Sequence, residues 1–153
     1  MPIPQNIVRF NEVVAKTFSL LYESFPVERA LSIEFDFGVK GLAKLQNKMF
    51  ENEAYEEFHN SPEGSSMDFI RASILWLRDE GFITCSEGAE STFFTGARLT
   101  SKGFTVLSAM PSSLQPKGQT VGEFFLEVFK SGVKDKLSET VKEAIAMGIN
   151  LLS

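Results

Sequence analysis

The stretch RDEGFITCSEGAESTFFTGARLTSKG, residues 78–103, carries the clearest structural signals of the chain. A charged helix end leads into Gly81, and glycine suits the left-handed turn that follows many helices. Segments 82–86 and 92–99 then have the composition of two short strands around a polar, turn-rich tip. Thr100 is a good capping residue for a new helix. The stretch therefore predicts a helix, a strand hairpin and a second helix.

The residues before this stretch add two helices and a strand. Residues 7–24 repeat apolar side chains at helical spacing, and Pro26 ends that helix because the residue before proline is driven out of the α region. Residues 31–37, LSIEFDF, alternate apolar and polar side chains and predict a half-buried strand. A further helix begins at Ser65 or Ser66 as its cap and runs to the glycine turn.

The residues after it predict a linker and a C-terminal helix. We assign residues 1–110 to the first domain and residues 111–119, which hold two prolines, a glycine and two serines, to a linker. Residues 120–153 carry a helical apolar stripe and predict a long appended helix for packing or oligomerisation. A break is expected near Gly132, since glycine in a helix interior costs about 1 kcal/mol.

The composition is that of an ordinary globular protein with an acidic balance. The chain has 153 residues, 43% hydrophobic residues and a formal net charge of −5. It lacks an apolar run long enough to cross a membrane and a signal-peptide pattern at its start, so we expect a protein of the cytoplasm without membrane contact. The single cysteine, Cys85, fits a reducing compartment.

Two segments resemble a known family. WLRDEGFI (76–83) and ARLTSKGFTVL (97–107) are similar to the helix-to-wing and wing-to-helix junctions of winged helix-turn-helix regulators of the MarR and PadR type. The resemblance implies an α+β, mainly helical fold. It would be a winged helix-turn-helix domain with a small antiparallel wing sheet, here with the long C-terminal helix appended, from a bacterium or a phage. It extends over about residues 7–110, and residues 65–107 carry its specific part.

In DNA-binding members of that family, the helix at 65–80 would enter the major groove and the wing would reach the minor groove or the backbone. The residues that this implies for DNA binding are Ser66, Arg71, Arg78, Arg98 and Lys102. The same region also holds acids, and the wing tip offers Glu87 and Glu90 without a base. Affinity for nucleic acid depends on neutralising several phosphates, so the charge balance disfavours this function. DNA-binding regulation is therefore the alternative hypothesis.

The sequence offers little for catalysis or for a cofactor. His59 is the only histidine, and it stands in an acidic segment. A zinc site needs several ligands in register, and a nucleophilic Cys85 would need a base for which His59 is the one histidine available. The phosphate-loop, dinucleotide and nucleophile-elbow motifs are absent from the sequence. We therefore expect a protein without enzymatic activity, cofactor or metal.

Aromatic side chains outside the predicted core stripes point to protein contacts instead. Our first hypothesis is binding of a protein partner, together with self-association as a dimer through the C-terminal helix. The candidate residues are Phe69, Trp76, Glu87, Glu90, Phe124, Phe125 and Phe129. For Phe69 and Trp76, burial under the C-terminal helix is the competing interpretation. A membrane-bound C-terminal helix is disfavoured because residues 112–153 hold five basic and five acidic side chains.

Overall fold

A computed structural model describes residues 3–40, 60–88, 92–114 and 118–151. Within these ranges the chain is α+β and mainly helical, with a small three-stranded antiparallel sheet. The elements are α1 (Gln5–Ser24), β1 (Arg29–Ser32), α2 (Ile33–Phe37), α3 (Pro62–Asp79), β2 (Ile83–Glu87), β3 (Phe93–Leu99), α4 (Ser101–Leu107), α5 (Val121–Ser131) and α6 (Leu137–Asn150), with a 3₁₀ turn at Ser112–Leu114. The acidic segment 51–57 and His59 lie outside the described residues.

The predicted hairpin is confirmed to within a residue at each end. β2 and β3 pair antiparallel, with Ile83 opposite Leu99, and β1 joins on the other side of β3, with Leu31 opposite Phe94. The strand order is therefore β1-β3-β2. Leu31, Ile83 and Phe94 are buried, and a register shift interrupts the regular pairing on each side of β3.

The two ends of the opening stretch, residues 78–82 and 100–103, contact each other. The Thr100 hydroxyl donates to the Gly81 carbonyl at 2.6 Å and accepts from the Gly103 amide at 3.1 Å, which makes it the cap of α4. The Lys102 ammonium donates to the Glu80 carbonyl at 2.7 Å. A β-carbon at Gly103 would overlap the Phe82 carbonyl oxygen. Segments 76–83 and 97–107 therefore meet in one set of contacts between the end of α3 and the start of α4.

Helix α1 lies at the centre of the molecule. It contacts α3, α5, α6 and β3, and its side chains are buried on most of its circumference. It ends at Ser24, and Phe25 is extended before Pro26, which confirms the predicted stop. Phe18 of α1 packs against the rings of Phe82 and Phe125, so the core joins α1, the base of the hairpin and the C-terminal segment.

The C-terminal segment forms two helices that share this core. Helix α5 begins at the capping box of Thr120 and Glu123 and ends at Gly132, whose φ of 75° is left-handed. The predicted break near Gly132 is confirmed, and it replaces one long helix by α5 and α6. The core side chains that these helices supply are Val121, Phe125, Val128, Leu137, Val141 and Ala144. Their apolar stripes therefore pack against α1 of the same chain.

The strand predicted over 31–37 is wrong beyond Ser32. The Ser32 side chain accepts a hydrogen bond from the Phe35 amide at 3.1 Å, and the Ser32 amide donates to Asp36 at 2.7 Å. These bonds start a helical turn, which left-handed Gly38 closes. Phe35 consequently points to solvent and is 86% exposed. Local capping overrides the alternating pattern here.

Helix α3 begins earlier than the sequence suggests. Ser61, rather than Ser65 or Ser66, is its cap and accepts from the Gly64 amide at 3.0 Å, with Pro62 in the first helical turn. Proline is favoured there because its missing amide hydrogen has no partner to lose. Gly81 follows the helix with a φ of 83°, as predicted.

Candidate binding cleft

A cleft of about 450 Å³ opens between α1, α2, α3 and α5. Its apolar wall includes the rings of Phe37, Phe69 and Phe129, each of them half-buried. This volume lies within the range of about 300–1,000 Å³ that is typical of ligand pockets. The cleft combines aromatic surface with the charged side chains Arg9, Glu12, Lys16 and Asp36, and we call it the Arg9–Lys16 cleft.

The two cations of the cleft lie on aromatic rings. The Arg9 guanidinium is 4.3 Å from the centroid of Phe69, and the Lys16 ammonium is 4.8 Å from the centroid of Phe129. Such contacts contribute about 0.5–1 kcal/mol at exposed sites. Neither cation forms an ion pair with a carboxylate of the described residues. Both therefore retain hydrogen-bond donors for an external acceptor.

The carboxylates of the cleft are paired with cations from outside its lining. Asp36 accepts from Arg29 at 2.9 Å, and Glu12 lies 3.4 Å from the Lys134 ammonium. The Asp36 side chain is only 17% exposed, whereas the pair of Glu12 is more open to solvent and therefore weaker. The negative charges of the lining are thus paired locally, whereas the positive charges of Arg9 and Lys16 are not.

The structure brings together two of the predicted interaction residues. Phe69 and Phe129, from α3 and α5, line the Arg9–Lys16 cleft. Trp76 is elsewhere: it is half-buried and contacts Phe10 edge-on at 5.4 Å. Arg9 and Phe10 of α1 contact Phe69 and Trp76, respectively. Burial of these two rings by the C-terminal helix stays an untested interpretation.

The other two phenylalanines of α5 differ from each other. Phe125 is fully buried and stacks on Phe18 at 6.3 Å, so it cannot meet a partner while the protein is folded. Phe124 is half-buried and lines a second, smaller cavity of about 280 Å³ beside the 3₁₀ turn. Only Phe124 of this pair has exposed ring surface.

The cations considered for DNA binding are engaged within the chain. Arg71 pairs with Glu87, and Arg78 pairs with its neighbour Asp79 at 3.2 Å. Arg98 lies 4.0 Å from Glu28, a weak pair between exposed groups. Lys102 is held by the Glu80 carbonyl and lies over the Phe82 ring at 4.5 Å.

Three candidate residues remain: Ser66, Glu87 and Glu90. Ser66 lines the Arg9–Lys16 cleft. Glu87 ends β2 and connects the hairpin to α3 through its ion pair with Arg71. Glu90 belongs to residues 89–91, which the structure does not describe.

Cys85 lies on β2 and is half-buried. Burial raises the pKa of its thiol, and the nearby Arg78 opposes this shift only in part. The thiol is therefore less nucleophilic at neutral pH than a free cysteine.

Among the described residues, no three His, Cys, Asp or Glu side chains come close enough to hold a metal ion. None of the described helices is long and apolar enough to cross a membrane.

Sequence reasoning missed Arg9 and Lys16. They lie seven residues apart on α1, with Glu12 between them, so they share one side of the helix. A polar stripe of this kind on an otherwise apolar helix was the available signal. It did not reveal which rings the cations would meet, because Phe69 and Phe129 are distant in the chain.

Comparisons of the chain with models of known families, with curated proteins and with solved structures find no match.

Proposed function

We propose that this protein is a non-enzymatic winged-helix module that binds a partner protein through the Arg9–Lys16 cleft. The observation that carries the proposal is the pair of cations on aromatic rings, Arg9 on Phe69 and Lys16 on Phe129, without carboxylate partners among the described residues. Aromatic and arginine side chains in a partly desolvated pocket are the groups that dominate protein-binding energy.

The winged-helix part of the proposal is supported by the hydrogen bonds between segments 76–83 and 97–107. Thr100 and Lys102 bind carbonyls at the end of α3, which gives both motifs a structural role. The hairpin follows α3 directly, and β1 pairs with its second strand. This arrangement presents α3 and the hairpin side by side, as a winged domain requires.

The charges of α3 and the wing favour a protein partner over DNA. Binding to a duplex would have to separate Arg71 from Glu87 and Arg78 from Asp79, and it would bring those acids near phosphates. Lys102 in turn supports the joint under the wing. These contacts reduce the number of cations available for phosphate.

Self-association through residues 120–152 stays a prediction with a smaller surface than the sequence indicated. The core-facing stripe of α5 and α6 is occupied by α1, so a second copy would have to use the outer side. Exposed or half-buried apolar groups there include Leu126 and Ile149, the latter 53% exposed. Sedimentation of the full chain tests this part, and a monomer at all concentrations would contradict it.

The proposed function is tested by selecting displayed peptides on the immobilised full chain. We expect enriched peptides whose binding is weakened by Phe69→Ala or Phe129→Ala. Phe104→Ala is the matched control, because that ring is 39% exposed and stacks on Phe25 away from the cleft lining.

A parallel titration uses a random-sequence DNA duplex at low salt. Micromolar, steeply salt-dependent binding of the duplex, with no peptide enriched at the cleft, would refute the proposal in favour of DNA-binding regulation.

A further inference from the structure

We infer that the partner segment is acidic, with carboxylates that bind Arg9 and Lys16 and an apolar side chain that covers the rings between them. This inference rests on the proposed function, since it specifies what the Arg9–Lys16 cleft binds. Its basis is charge complementarity and the geometry of the two cation–ring pairs.

The carboxylates of the cleft lining form ion pairs, whereas its cations form none with a carboxylate of the described residues. Arg9 and Lys16 lie in the lining, and Arg29 and Lys134 pair with the carboxylates of Asp36 and Glu12. The formal charges of the lining cancel, with Arg9 and Lys16 against Glu12 and Asp36, but both of these carboxylates are already paired by cations from outside the lining. Two cations without a carboxylate partner favour an acidic group in the cleft, whereas the net charge of −5 disfavours acidic groups at most of the remaining surface.

A shallower neighbouring cavity does not change this balance. It shares Gly38, Val39 and Ser66 with the cleft and adds one base and one acid, Lys40 and Glu63. Their formal charges cancel.

The cation–ring geometry leaves donors for a carboxylate. The Arg9 guanidinium has five N–H donors, and its contact with the Phe69 ring does not pair them with a carboxylate of the described residues. Hydrogen bonds between charged groups are about twice as strong as neutral ones. Arg9 is exposed and Lys16 is half-buried, so both are accessible to a partner.

The spacing of the cations indicates the spacing of the acids. Arg9 and Lys16 are seven residues apart on α1, which is about 10 Å along the helix axis at 1.5 Å per residue. A segment in the polyproline II conformation has three residues per turn and rises about 3.1 Å per residue, so side chains three positions apart point the same way about 9 Å apart. Two acids at that spacing, with two apolar residues between them, match the cleft.

The test uses three short fluorescently labelled peptides of equal length and apolar content. Their central sequences are Glu-Phe-Leu-Glu, Gln-Phe-Leu-Gln and Lys-Phe-Leu-Lys, and binding to the full chain is measured by anisotropy at two salt concentrations. We expect the acidic peptide to bind about five- to tenfold more tightly than the neutral one and more weakly at high salt. The basic peptide should bind least.

Matched variants locate the effect. The double variant Arg9→Gln, Lys16→Gln should lower the affinity for the acidic peptide to that for the neutral one. The control Arg78→Gln, Lys142→Gln removes the same charge outside the cleft lining and should leave the preference in place. Circular dichroism and the urea midpoint of each variant verify that it is folded.

The outcomes separate this inference from the proposed function. Equal binding of the acidic and neutral peptides, lost in Phe129→Ala, would overturn the inference and leave the proposed function standing. Binding of 3-phenylpropionate alone, without any peptide, would overturn it in favour of a small-molecule site. Failure of every probe would also overturn it, and duplex binding in place of peptide binding would remove the proposed function as well.

Discussion

Replacing Phe125 by alanine tests whether α5 belongs to the core of the monomer or serves an interface between copies. The ring is fully buried, stacks on Phe18 at 6.3 Å and lies 5.9 Å from Phe124. Truncation of a buried phenylalanine costs about 3–5 kcal/mol, because transfer energy is lost and a cavity remains. The total stability of a domain is about 5–15 kcal/mol, so the loss would be a large share of it.

The measurement is urea denaturation followed by circular dichroism and by the fluorescence of Trp76, the single tryptophan. The midpoint should fall with little change in slope, and the thermal midpoint should drop by about 6–20 °C for a chain of this size. Leu126→Ala, at the half-buried neighbouring position, is the control and should cost about 1 kcal/mol or less.

Two results would refute the core assignment. One is a loss below about 1 kcal/mol for Phe125→Ala, which would mean that the ring is not packed as described. The other is a midpoint for the unmodified chain that rises strongly with protein concentration and ceases to do so in the variant. That behaviour is the sign of stability supplied by association.

Three further predictions concern the hairpin and its base. Gly103→Ala should destabilise the fold by about 1–3 kcal/mol, since the added β-carbon overlaps the Phe82 carbonyl oxygen; an unchanged urea midpoint would contradict this. Thr100→Ala removes the cap of α4 and the bond to Gly81 and should cost about 1–2 kcal/mol, measured in the same way, with Thr100→Ser as the variant that retains most of it. Cys85 should react with iodoacetamide more slowly in the native chain than in urea at pH 8, because burial raises its pKa, and the native rate should increase as the pH rises toward that higher pKa; equal rates in mass spectrometry would show that the thiol is not shielded. The same raised pKa implies that its contribution to stability is present below the pKa of the unfolded thiol and is lost as the pH rises through the folded value.

Much of the local structure was predictable because its signals are short-range. Pro26 ends α1, Gly81 supplies a left-handed turn, the C-terminal helix breaks at Gly132 and Thr100 caps α4, all as expected from the sequence. Each of these features depends on the backbone preferences of one or two residues. They need no knowledge of the rest of the fold.

The exception at residues 33–37 has the same kind of cause. LSIEFDF satisfies the period of a strand, yet Ser32 and Asp36 form hydrogen bonds that begin a helical turn. Over so few residues the alternating pattern and the cap compete, and the cap prevails. Phe35 is exposed as a result, although the pattern places it on the buried face.

The sequence by itself therefore determined where most elements begin and end. It also placed the hairpin between α3 and α4, the two helices that Thr100 and Lys102 connect. Only the tertiary structure decided what those elements touch. It set α1 at the centre, turned Phe125 into the core, and brought Arg9 and Lys16 onto Phe69 and Phe129. The reason is that caps and turns depend on neighbouring residues, whereas a binding cleft depends on how helices from distant parts of the chain pack.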